Sequence, residues 1–102
     1  MKYGLSDRTL DTLDLIFRKY PGIIQAVLYG SRARGNFRNG SDIDIALMTN
    51  GDFSNTDLSR IAGDFEDSDM PYLVDVLVYD KLSNQNLKDH IDQAGKVLYP
   101  RP

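Results

Sequence analysis

Residues 28–48 read LYGSRARGNFRNGSDIDIALM. An apolar run ends in Gly-Ser, basic residues follow, and a second apolar run opens on Asp-x-Asp. Carboxylates are poor strand formers. Side chains alternate across a strand, so Asp42, Asp44 and Ala46 share one face while Ile43, Ile45 and Leu47 share the other. The second set is uniformly large and apolar and is expected to face a layer of helices. That choice fixes which side of the sheet the aspartates occupy.

The same alternation recurs in YLVDVLVYD, residues 72–80. Val74, Val76 and Val78 share a face; Leu73, Asp75, Leu77 and Tyr79 share the opposite one. If both β-branched stripes pack on the same helices, Asp75 joins Asp42 and Asp44 on one sheet face. Carboxylates that close need a counter-charge, because like charges disfavour ionisation. Mg²⁺ suits this, since it takes oxygen ligands and is typically held by one or two carboxylates plus substrate phosphates. A third carboxylate leaves room for two metals, the arrangement that serves in-line displacement at phosphorus.

The Gly30-Ser31 turn supplies the complementary half. Gly30 permits close backbone approach. A turn of helix opening at Ser31 would present free N–H groups and a hydroxyl to an anion, with Arg32 and Arg34 adding positive charge and Gly35 closing the turn. Taken singly these features are weak. Gly-Ser after a strand is a common turn, and a lone Asp-x-Asp is more often an exposed polar face than a metal site. Their combination, with Asp42 eleven positions after Ser31 and an in-phase aspartate on the next strand, is far more specific.

The flanking chain reads as a small α/β (α+β) domain. Ser6 is an N-cap candidate for a helix carrying Leu10, Leu13, Ile16, Phe17 and Tyr20, which Pro21-Gly22 ends. Residues 23–29 form a buried strand. A third helical segment spans about 54–66 with Leu58, Ile61, Ala62 and Phe65 on one stripe. Ser83 is expected to cap a last helix with Leu87, Ile91 and Ala94 inside, ended by Gly95, before a short closing segment KVLY. The order α-β-α-β-α-β-α predicts a small three-stranded mixed sheet with helices packed mainly on one face.

Composition narrows the function. At 102 residues the chain is one domain, 1–102. It lacks cysteine and has one histidine, which excludes disulfides and Cys- or His-rich metal sites. The net charge of −3 argues against broad nucleic-acid binding, and no apolar run approaches a membrane span or signal core. A cytoplasmic protein is expected. His90 reads as a surface or interface residue, Tyr29 as packing, and the acidic run at 64–69 as a solvated helix end.

At GSRARG (30–35), SDIDIAL (41–47) and VDVL (74–77) the sequence resembles the nucleotidyltransferase superfamily that includes DNA polymerase β, and most closely its minimal nucleotidyltransferase (MNT) members. The resemblance extends over nearly the whole chain. It implies the nucleotidyltransferase fold, with Gly30, Ser31, Arg32 and Arg34 at the triphosphate of an NTP such as ATP. It implies that Asp42 and Asp44 hold Mg²⁺. Asp75 is then the third carboxylate, binding metal and helping to deprotonate an acceptor hydroxyl. It further implies an all-helical HEPN partner, the toxin of a toxin–antitoxin pair, whose tyrosine receives AMP from the MNT antitoxin. The alternative is a non-catalytic subunit that neutralises its partner by complex formation. Larger members carry further domains that hold the acceptor; here only the core is expected, and Leu73, Leu77 and Ala46 add apolar surface to the carboxylate face. Another chain or a second copy is therefore expected to cover part of that face.

Overall fold

The computed structural model describes residues 1–101. Helix α1 (Asp7–Arg18) starts at Ser6, whose hydroxyl accepts from the Thr9 N–H, and strand β1 follows over Ile23–Tyr29. A single helical turn, α2 (Ser31–Arg34), leads through a loop to β2 (Ile43–Thr49). Helix α3 (Asn55–Asp67) opens on a reciprocal cap in which Ser54 and Asp57 satisfy each other's backbone N–H groups. Strand β3 (Val74–Val78) runs into a 3₁₀ turn at Tyr79–Lys81, then come α4 (Gln85–Ala94) and β4 (Lys96–Tyr99).

The sheet has four strands in the order β3-β2-β1-β4, with β1 antiparallel to β2 and β4, and β2 parallel to β3. The mixed sheet is as expected, but it gains a strand. KVLY pairs along β1 instead of trailing off as a closing segment. The last helix is capped by Asn84, whose side chain accepts from the Leu87 N–H, one residue later than Ser83.

Two apolar clusters sit on opposite faces. Ala26, Leu28, Ile43, Ile45, Leu47 and Val78 pack with Leu13, Ile16 and Phe17 of α1 and Ile61 and Phe65 of α3. This is the face that the β-branched stripes of the two central strands were expected to bury. Tyr20 extends it beyond α1, and its hydroxyl donates to Asp64 of α3 at 2.5 Å. Burial comes first among the causes that push the Tyr20 pKa up to about 12, followed by that bond. The opposite face carries Val27, Tyr29, Ala46, Met48 and Leu77, and Ile91 and Leu87 of α4 cover it. Ala46 is fully buried there. Part of the apolar surface assigned to a partner is thus roofed by the chain's own last helix. A helical stripe shows that a helix packs, not on which side of the sheet. Leu73, at 71% exposure, is the one of the three that stays open.

Candidate functional site

The site is assembled at one end of the carboxylate face. In the parallel pairing of β2 and β3, Asp44 lies directly opposite Asp75, and in the antiparallel pairing of β1 and β2 it lies opposite Tyr29. Directly paired residues project to the same side. Tyr29, Asp44 and Asp75 therefore form a row across three strands. Asp42 is exposed in the loop just before β2, one alternation ahead of Asp44. Burial raises the Asp44 pKa, and the nearby charges of Asp75 and then Asp42 push it the same way. The Tyr29 phenol is pushed up to about 12 by burial, then by Asp44 and Asp75.

None of the three aspartates has an ion-pair partner among the described residues. An all-oxygen donor set of mutually repelling like charges with no internal cation has the chemistry of a hard divalent-metal site. Among the described residues, however, no three His, Cys, Asp or Glu side chains gather closely enough to hold a metal as they stand. Asp44 and Asp75 are neighbours across the parallel strands, while Asp42 and Asp75 are solvent-exposed.

The turn at Gly30 abuts this row. Gly30 has φ 76° and ψ −154°, a conformation open essentially to glycine alone. The Asp44 carboxylate lies against its Cα so closely that a Cβ would overlap a carboxylate oxygen. Ser31 is half-buried, and its carbonyl closes the turn by accepting from the Gly35 and Asn36 N–H groups. Gly35, at φ 84°, ends it in the left-handed region. Asp44 and Gly30 are thereby held side by side.

Arg32 departs from the sequence expectation. It is 2% exposed, and its guanidinium donates to the Ser41 carbonyl at 3.1 and 2.7 Å and to the Tyr3 carbonyl at 3.0 Å. The rings of Tyr72 and Phe37 flank it at 4.4 and 5.1 Å. A guanidinium so occupied has little left for a phosphate. Arg32 pins Ser41, the residue preceding Asp42, to the turn that carries Arg32 itself instead. Next to Gly-Ser, a basic residue reads as an anion ligand; its burial follows from contacts with three other segments, two of them remote in sequence. Arg34 is exposed, as a ligand candidate must be.

His90, read from sequence as surface or interface, is the residue that the sequence reading undervalued. Its Nε2 accepts from the Gly30 N–H at 2.9 Å, its Nδ1 lies 3.1 Å from the Arg34 guanidinium, and its ring meets Tyr29 edge-on at 6.1 Å. A signal was present: 87, 90, 91 and 94 share one helical stripe, so His90 is a polar residue on the packed side of α4.

A four-stranded mixed sheet with a glycine turn set against Asp44, itself paired with Asp75 on the next strand, defines the nucleotidyltransferase class of fold. The chain belongs to the polymerase beta nucleotidyltransferase family, whose model matches residues 11–102. Its fold is similar to a chain of a toxin–antitoxin complex with AMP-PNP, at TM-score 0.72 and 23% identity over 88% of this chain and 72% of that one. It is similar too to a chain of the tri-AMPylated Shewanella oneidensis HEPN toxin in complex with MNT antitoxin, at TM-score 0.69 and 20% identity over 93% and 72%. A Sulfolobus solfataricus protein described as a nucleotidyltransferase aligns at TM-score 0.55 and 23% identity over 88% and 78%. No curated protein matches the sequence. Among the described residues no helix is long and apolar enough to cross a membrane.

Proposed function

We propose that this chain transfers a nucleoside monophosphate, AMP from ATP, to a protein hydroxyl, a tyrosine of a HEPN toxin, and so acts as that toxin's antitoxin. The observation that carries the reading is the row Asp44–Asp75 set directly against the Gly30 turn. It brings an anionic, metal-suited edge beside a glycine turn of the kind that accommodates phosphate. Family membership supports the chemistry, and the AMP-PNP complex and AMPylated HEPN toxin among the similar structures support the nucleotide and the partner.

In this reading Gly30 and Ser31 receive the triphosphate and Arg34 adds positive charge at its exposed side. Asp42 and Asp44 would hold Mg²⁺, with Asp75 completing the set. Bound there, the ion would neutralise phosphate oxygens and permit all three carboxylates to ionise together. The acceptor hydroxyl oxygen forms a bond to the α-phosphorus. The bond from that phosphorus to the β-bridging oxygen breaks, pyrophosphate leaves, and Asp75 takes the hydroxyl proton. The protein's contribution is positioning and charge balance. Arg32 serves it indirectly, by fixing Ser41 and hence the approach of Asp42.

The test is incubation with ATP, Mg²⁺ and a HEPN partner, read by intact mass. One added AMP on the partner is expected, lost on Asp42→Ala or Asp44→Ala. Failure to modify the partner with any NTP would refute transfer. One observation favours a second reading, a non-catalytic binding subunit: the acidic side chains do not converge into a ready metal site. Under that reading the Asp44→Ala protein still silences the partner fully.

A further inference from the structure

The His90 imidazole stands where α4 meets the Gly30–Ser31 turn, and both its nitrogens are directed at that turn. The Gly30 N–H donates to Nε2 at 2.9 Å, and an Arg34 guanidinium nitrogen lies 3.1 Å from Nδ1. A guanidinium only donates, and a neutral imidazole has a single acceptor nitrogen. The two contacts therefore cannot both be hydrogen bonds. The Gly30 peptide is fixed, while Arg34 is exposed on a flexible stem. With Nε2 accepting from Gly30, Nδ1 carries the proton and faces the guanidinium, whose donors are left for an anion. Burial, then the Arg34 charge, lowers the His90 pKa and keeps the ring neutral, the form this arrangement requires.

Gly30 is thus gripped from two sides, by the Asp44 carboxylate against its Cα and by His90 through its N–H. We propose that His90 is a positioning residue for nucleotide binding, its Nε2 setting the Gly30 peptide and its Nδ1–H turning Arg34 outward toward the same phosphate. The proposal rests on the nucleotide-binding reading above. His90 itself touches no substrate atom; it acts through Gly30 and Arg34.

Three replacements separate the roles of the two nitrogens. Gln places an acceptor near the Nε2 position, Asn places one near Nδ1, and Leu fills the space with no acceptor. Affinity for AMP-PNP with Mg²⁺ is measured on the full chain by calorimetry, and the Gly30 amide is followed by ¹⁵N–¹H spectra without nucleotide. His90→Gln is expected to bind within about twofold of the parent with the Gly30 resonance largely kept. His90→Asn and His90→Leu are expected to bind about tenfold more weakly, the scale of one lost orienting hydrogen bond, with that resonance displaced. The proposal is overturned if His90→Leu binds as tightly as the parent, or if His90→Gln is as weak as His90→Leu. A parent chain that binds no nucleotide overturns the function proposed above, and this inference with it, and is told apart because every variant is then equally silent.

Discussion

Replacing Gly30 by alanine perturbs the junction between the glycine turn and the aspartate row, and the structure divides the penalty into two separable parts. The first is backbone strain. At φ 76° and ψ −154° a residue with a Cβ sits in a region reserved for glycine, at about 1–3 kcal/mol. The second is collision: the new methyl would overlap the Asp44 carboxylate, which must leave its rotamer at about 1 kcal/mol. The Asp44 Cβ itself lies 3.5 Å from that methyl position, ordinary contact, so Asp44→Ala removes the collision and leaves the strain. Urea denaturation of the parent, both single variants and the double variant gives the coupling. Gly30→Ala should destabilise the parent by about 2–4 kcal/mol and the Asp44→Ala background by roughly 1 kcal/mol less. Additivity within about 0.3 kcal/mol would show that the carboxylate does not rest on Gly30, and the site geometry would fall with it.

Arg32→Ala strips donors from the Ser41 and Tyr3 carbonyls and a cation from two rings; a loss of about 3–5 kcal/mol in chemical denaturation is expected. Arg32→Lys should recover only part of it, because an ammonium cannot reproduce the forked contact. The Asp44 carboxyl titrates above its ordinary 3.8 in the folded chain. Its ionisation therefore weakens the fold as pH rises from about 3.8 through the raised value. Asp44→Asn should melt higher than the parent at neutral pH. The gap should close on acidification, and added Mg²⁺ should raise the melting temperature of the parent alone. Ile91, 3% exposed, anchors α4 on the sheet; Ile91→Ala should cost about 2–4 kcal/mol by thermal or urea melting.

Period-two alternation made the two central strands legible. A one-residue slip would send every aspartate to the core, so the apolar stripes of 43–47 and 74–78 determined the carboxylate face before any pairing was known. The direct opposition of Asp44 and Asp75 needed the parallel register, which no single sequence states. KVLY was too short to declare itself. Its strand character comes from pairing with β1, a tertiary contact. The side chosen by α4 was equally hidden, because Leu87, Ile91 and Ala94 would pack as well on either face. Arg32 and His90 share one cause of misreading. Sequence neighbours suggest one role for each, while its place in the fold is set by Ser41, Tyr3 and Tyr72 in one case and by a peptide 60 positions away in the other.

The Arg32 guanidinium joins three pieces of chain at one point: the Tyr3 turn, the Phe37–Ser41 loop and the lead-in to β3 at Tyr72. Segments knotted at one point open together. In native-state hydrogen exchange, amides across these three stretches should share a single opening free energy, where independent loops would fray each at its own rate. The edge that carries the aspartates would then be present or absent as a block, with no half-built form to populate.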